Sequence, residues 1–166
     1  GQQVYDFESR FARHFGLNNA LAVSSGTAAL HIALLLAGAG QGSEVVTTSM
    51  TAEPTNTTIL NCGATPVFAD VDARSGNLSP VAVEAVITSR TVAIVVVHYG
   101  GYPADLSALR AIADRHRISL IEDCAHALGA KHQGRPIGDF GDSAVFSFQA
   151  IKHMTTVDGG MLLLKD

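Results

Sequence analysis

The sequence predicts an α/β sandwich in which a mostly parallel β-sheet lies between layers of helices. Three observations lead there. Short apolar runs of strand length alternate with longer segments of helical period along the whole chain. Glycine is abundant, with 16 among 166 residues, as many tight joints require. The residues able to do chemistry fall where the apolar runs end, which is the rim at which such sheets bind ligands.

The elements follow in chain order. Residues 4–15, VYDFESRFARHF, place apolar side chains at helical spacing, and Gly16 stops the run. Residues 19–25, NALAVSS, read as a short strand. Residues 27–38, TAALHIALLLAG, form a mostly apolar helix ended by Gly38, Gly40 and Gly42. The next strand is SEVVTTS at 43–49. Helix 53–63, EPTNTTILNCG, carries Pro54 near its first turn. Residues 65–72, TPVFADVD, are a strand. SPVAVEAVIT at 79–88 opens on a serine cap and a proline start, so it is a helix. TVAIVVVHYG at 91–100 is the most apolar strand, which gives it a central place in a parallel sheet. DLSALRAIADRHR at 105–117 is an amphipathic helix. ISLIEDCA at 118–125 is a strand ending in acids. DSAVFSF at 142–148 and GGMLLLK at 159–165 complete the strands. No linker or repeat divides the chain, so residues 1–166 are expected to form one domain.

Composition narrows the function. The net charge is −4 and no basic run occurs, which argues against nucleic acid and anionic membranes as partners. No stretch reaches the roughly 20 apolar residues of a membrane helix. Cys62 and Cys124 are too few and too far apart for a disulfide framework or a four-ligand zinc site, so a reducing, cytoplasmic setting is expected. The seven histidines are scattered, with no i, i+4 pair on one helix, and no metal site is expected.

Four segments put polar groups at strand ends: Ser24–Thr27, His98 with Tyr99, Asp123 with His126, and Ser147 with Lys152. In SSGTAAL a strand, a Gly-Thr step and a helix present backbone N–H groups and a hydroxyl to an anion. By itself this is equally a small-residue helix cap. Glu122 and Asp123 are neighbours on a strand and point to opposite faces. Asp123 near the rim needs a cationic or hydrogen-bonding partner; a protonated pyridine nitrogen would serve, and so would a cap on the following helix. Lys152, between an apolar strand and Gly159-Gly160, reads alone as a loop lysine. Taken together these parts suit one cofactor, pyridoxal 5′-phosphate. Lys152 takes its aldehyde, Asp123 its ring nitrogen, and Gly26, Thr27 and Ser147 its phosphate.

The blocks SSGTAALHIAL, DVD, VHYGGYPAD, IEDCAHALGA and FSFQAIKHMTTVDGGML stand in the order seen in DegT-type nucleotide-sugar aminotransferases. From about residue 7 onward the chain resembles this family of fold type I pyridoxal phosphate enzymes. The resemblance implies that Lys152 forms the Schiff base and carries the proton, and that Asp123 partners the pyridine nitrogen. It implies that His126 lies near the phenolic oxygen, and that Gly26, Thr27, Ala28 and Ser147 cup the phosphate. Ala52 stands where the family commonly has a ring-stacking aromatic, and Val157 replaces a glycine of TTGxGG. The implied sheet has seven strands, with GGMLLL running antiparallel to the rest. Family members run well over twice this length, so the chain is expected to be the large domain alone. The implied reaction moves an amino group, from glutamate, to a keto group of a nucleotide-linked sugar, in a homodimer. Two other outcomes are a catalytically inactive cofactor-binding or interaction fragment, and a sugar dehydratase. Relatives of the latter kind carry histidine where Lys152 stands.

Overall fold

A computed structural model describes residues 1–17 and 19–165; Asn18 and Asp166 lie outside the described residues. Helix α1 (Gln2–Phe15) leads to strand β1 (Ala20–Val23), and α2 (Gly26–Leu36) to β2 (Glu44–Thr47). Then come α3 (Glu53–Asn61), β3 (Thr65–Phe68), α4 (Pro80–Val86), β4 (Thr91–Val97), α5 (Leu106–His116) and β5 (Ser119–Asp123). A small hairpin, β6 (Lys131–His132) and β7 (Arg135–Pro136), precedes β8 (Ser143–Ser147) and β9 (Gly160–Leu164).

Local chemistry sets the helix ends. Gly16 closes α1 in the left-handed region at φ 66°, where a Cβ would be strained. The side chains of Ser25, Ser79 and Asp105 each accept a backbone N–H at the start of α2, α4 and α5. Pro54 and Pro80 occupy first turns, where a missing N–H costs nothing.

The seven-stranded sheet runs β1-β9-β8-β5-β4-β2-β3. Strand β9 is antiparallel to both its neighbours, β1 and β8, and the other pairings are parallel. This is the expected architecture, including the reversed last strand. The hairpin β6–β7 was not anticipated: two-residue strands carry no readable period. Its loop residues Gln133 and Gly134 both have positive φ, as a tight hairpin turn needs.

Strand alternation sorts the core into two layers. On one face Ala93 and Val95 of β4, Ile121, Val145 and Leu162 pack with Leu30, Leu34 and Ile59 of α2 and α3. On the other, Ile94, Val96, Leu120, Phe146 and Met161 pack with Phe11, Val83, Leu106 and Leu109 of α1, α4 and α5. The result is three layers. The α2–α3 face is the one that matters below.

Glu122 braces the second face. Its fully buried carboxylate accepts N–H groups from Gly138, Phe140 and Gly141 at 2.6–2.8 Å, and lies 3.2 Å from His98 Nε2. The Ala104 N–H donates to His98 Nδ1 at 3.2 Å, so the proton of this imidazole sits on Nε2 and points at Glu122. Burial pushes the Glu122 carboxyl up, but the His98 hydrogen bond and the amides of Gly138 and Gly141 outweigh it and hold the group below its ordinary value.

Candidate active site

At the carboxyl ends of β1, β5 and β8, and at the start of α3 beyond β2, the chain encloses a cleft of about 450 Å³. Gly26, Thr27, Asp123, His126, Ser147 and Lys152 all line it. Thr51, Ala52, Thr55 and Asp158 join them.

The end of the cleft at the start of α2 is built by close backbone approach. Ser25, in an extended conformation, caps α2 by accepting the Ala28 N–H at 3.1 Å. The first-turn amides of a helix have no intrahelical acceptor, so Gly26 and Thr27 offer theirs to whatever occupies the cleft. A Cβ on Gly26 would come within 2.9 Å of the Ser147 Cβ. A Cβ on Gly160 would come within 2.4 Å of the Ser25 carbonyl. Both positions therefore need glycine for α2 to seat against β8 and β9. Ala28 is outside the cleft lining, its amide already given to Ser25 Oγ.

The carboxylate sits opposite Glu122 in the strand alternation. Asp123 is 8 % exposed. Its Oδ2 accepts from Thr55 Oγ1 at 3.0 Å and its Oδ1 from the Ala125 N–H at 3.1 Å. The bland reading of Asp123 as a cap is partly met: it closes the turn after β5, although no helix follows there.

The amine comes from the loop after β8. The Lys152 amide bonds to the Gln149 carbonyl at 2.9 Å, and its partly buried side chain faces the cleft. Among the described residues the Lys152 side chain makes no ion pair. Lys152 and Asp123 share one pocket. His126 feels both. Burial, above all, holds its imidazole below the ordinary value; the Lys152 ammonium adds to this, Asp123 opposes it, and His153 adds a little more. The sign of the pH effect follows. The folded state binds the His126 proton less readily than the unfolded chain, so stability is whole above the unfolded value of about 6.5 and declines as the pH drops below it. Thermal melts of the cofactor-free protein should show that decline as the pH is lowered below about 6.5, and His126→Gln should flatten it. An equal slope in the variant would remove His126 from the account.

Three residues expected at the rim, Ser24, His98 and Tyr99, are outside the cleft lining. His98 is fully buried on the opposite face, against Glu122. Counting by twos along β4 gives the reason: Val97 lines the cleft, so its neighbour His98 cannot. His98, Glu122 and Cys124 place one ligand atom each within 4.8 Å of one another. The Glu122 oxygens and both imidazole nitrogens are occupied by hydrogen bonds, and burial together with the charges of Glu122 and Asp123 pushes the Cys124 thiol well up. That is a closed hydrogen-bond network. Thr51 and Thr55 were missed in the sequence. The hydroxyl-rich run TTSMTAEPT was the available signal.

The fold is that of solved aminotransferases. It superposes on the aminotransferase from Psychrobacter cryohalolentis with a TM-score of 0.97 at 42% identity, covering 100% of this chain and 42% of that one. It superposes on DesI, solved in the presence of its TDP-sugar product, with a TM-score of 0.91 at 43% identity, covering 100% of this chain and 42% of that one. The chain belongs to the DegT/DnrJ/EryC1/StrS aminotransferase family, which it matches over residues 1–166. It is 46% identical over 166 residues to the spore coat polysaccharide biosynthesis protein SpsC of Bacillus subtilis (strain 168). It spans 43% of that relative's length.

Proposed function

We propose that this chain is the cofactor-binding large domain of a sugar aminotransferase. It holds pyridoxal 5′-phosphate in the cleft and serves the transfer of an amino group, from glutamate, to a keto group on a nucleotide-linked sugar. The observation that carries this is the convergence of an unpaired amine, a buried carboxylate and a helix N-terminus on one cavity. The donor set fits the cofactor at three points. Lys152 Nζ suits the aldehyde, Asp123 the ring nitrogen, and the amides of Gly26 and Thr27 with the Ser147 hydroxyl the phosphate.

When bound, the cofactor supplies an electron-poor ring that lets a substrate C–H bond break and re-form. The residues do the rest. The α2 terminus fixes position, because its amides and dipole favour a doubly charged anion. The Asp123 carboxylate lies where a positive ring nitrogen is stabilised at low dielectric. Lys152 Nζ would hold the cofactor through its aldehyde and would carry a proton from and back to the substrate. His126 stays neutral near pH 7, so it adds no second cation beside that amine. The support for a nucleotide-linked sugar is the family and the TDP-sugar relative.

Solvent-facing Leu35 and Leu36 of α2 and Leu60 of α3 leave apolar surface that a second copy of the chain covers in a homodimer. The two free thiols fit a reducing, cytoplasmic compartment.

The test uses added pyridoxal phosphate, borohydride reduction and peptide mass analysis. The cofactor mass is expected on Lys152, together with a visible absorption band that glutamate discharges. Lys152→Ala should show neither. An adduct on Lys131 or Lys165 instead, or none at all, overturns the proposal.

A further inference from the structure

Two hydroxyls that the reading above does not use lead to Asp123: Thr55 bonds to it directly and Thr51 bonds to Thr55. We propose that Thr51 and Thr55 form a directed hydrogen-bond chain that orients the Asp123 carboxylate, with Thr55 the positioning residue for amino transfer. This rests on the reading that Asp123 meets the cofactor's ring nitrogen.

The direction of the chain follows by elimination. A carboxylate only accepts, so the single proton of Thr55 Oγ1 is committed to Asp123 Oδ2, 3.0 Å away. Thr51 Oγ1 lies 2.8 Å from Thr55 Oγ1 and must therefore donate to it. The Ala125 N–H holds the other carboxylate oxygen at 3.1 Å. Each oxygen of Asp123 is thus gripped by a donor from a different element, the first turn of α3 and the turn after β5. Rotation of the carboxylate plane breaks both bonds. Thr55 is 3 % exposed, so water does not compete at its end of the chain.

The neighbouring residues show that this is not what a threonine in this helix does by default. Thr57 and Thr58 turn their hydroxyls back to the carbonyls of Glu53 and Pro54, the ordinary local bond of helical threonine. Thr55 reaches across 68 positions of sequence to Asp123 instead. Thr51, with Asp123 and Thr55, lines the cleft, so the chain starts and ends where the cofactor lies.

The experiment compares wild type, Thr55→Val, Thr55→Ser and Thr51→Val for pyridoxal phosphate affinity and for the pH midpoint of the bound cofactor's visible spectrum. Thr55→Val keeps the shape and deletes the donor. Because hydrogen bonds to charged groups are the strong ones, its affinity is expected to fall about tenfold, with a moved midpoint. Thr55→Ser restores the hydroxyl and should return both readouts to within about twofold of wild type, a rescue that loss of packing does not give. Thr51→Val should weaken affinity about threefold. Wild-type values in Thr55→Val, or a Thr55→Ser variant as impaired as Thr55→Val, overturn the proposal. If Thr55→Val does not fold, Thr51→Val decides, and an unchanged affinity there overturns it. A wild-type protein that takes up no cofactor fells the cofactor reading itself, whereas normal uptake with an indifferent Thr55→Val fells this inference alone.

Discussion

Glu122→Gln is expected to destabilise the protein by about 3–5 kcal/mol, the usual cost of breaking a fully buried charge network. The carboxylate serves four donors: the amides of Gly138, Phe140 and Gly141 and the Nε2–H of His98. A glutamine amide of the same shape has one oxygen that accepts and one NH2 that cannot. At least one backbone N–H is left facing another donor in a site without water. Urea denaturation with an unchanged slope and a lowered midpoint is the signature. A loss under about 1 kcal/mol would show that the loop around Gly138–Gly141 rearranges freely. The same group contributes to acid unfolding. Its folded value lies below its ordinary one, so its contribution is present above the unfolded value of about 4.3 and is lost as the pH falls through the folded value.

Gly160→Ala is expected to cost about 3 kcal/mol, at the upper end for overpacking, and to weaken pyridoxal phosphate binding about tenfold in the molecules that fold. The added methyl would lie 2.4 Å from the carbonyl carbon and oxygen of Ser25 and 2.6 Å from the Gly26 nitrogen. Those are backbone atoms of the strand-to-helix turn, and they move only if the start of α2 moves. The helix terminus would then lift away from Ser147 and the anion site would open. Gly40→Ala is the control, since a methyl there meets nothing within 4 Å, and it should stay within about 0.5 kcal/mol of wild type. Calorimetric melts and cofactor titration of both variants check this. Equal behaviour of the two would mean that the packing of β9 on α2 is soft.

Much of this architecture was readable in the residues because two signals are strong. The unbroken apolar run TVAIVVV has the length of a strand buried on both faces, and DLSALRAIADRH has the spacing of an amphipathic helix. Strand direction is a different matter. Nothing in GMLLL distinguishes parallel from antiparallel pairing, and only the family resemblance supplied it. The cleft was legible where a residue's chemistry is distinctive, as for Lys152 and Asp123. It was misread at His98, where being at a strand end was counted but the side of the sheet was not. Asp123 and Val145 are paired in register, and so are Val97 and Asp123, so these three share the α2 face while His98 takes the other. Thr55 escaped notice because threonine is common in first turns, and its bond to Asp123 spans the width of two strands' connections.

The reversed strand β9 also governs the order in which the molecule can be assembled. Strand β1 pairs with β9 and, among the described residues, with no other strand of the sheet. Val23 meets Gly160 only after every strand between them has been made, a contact of very high sequence separation with a correspondingly large loop-closure cost. Until then β2, β3, β4 and β5 can zip together by local crossovers while β1 waits with an unsatisfied edge. The turn from β1 into α2 hangs on that late pairing, so the cleft takes its shape after the parallel strands have joined.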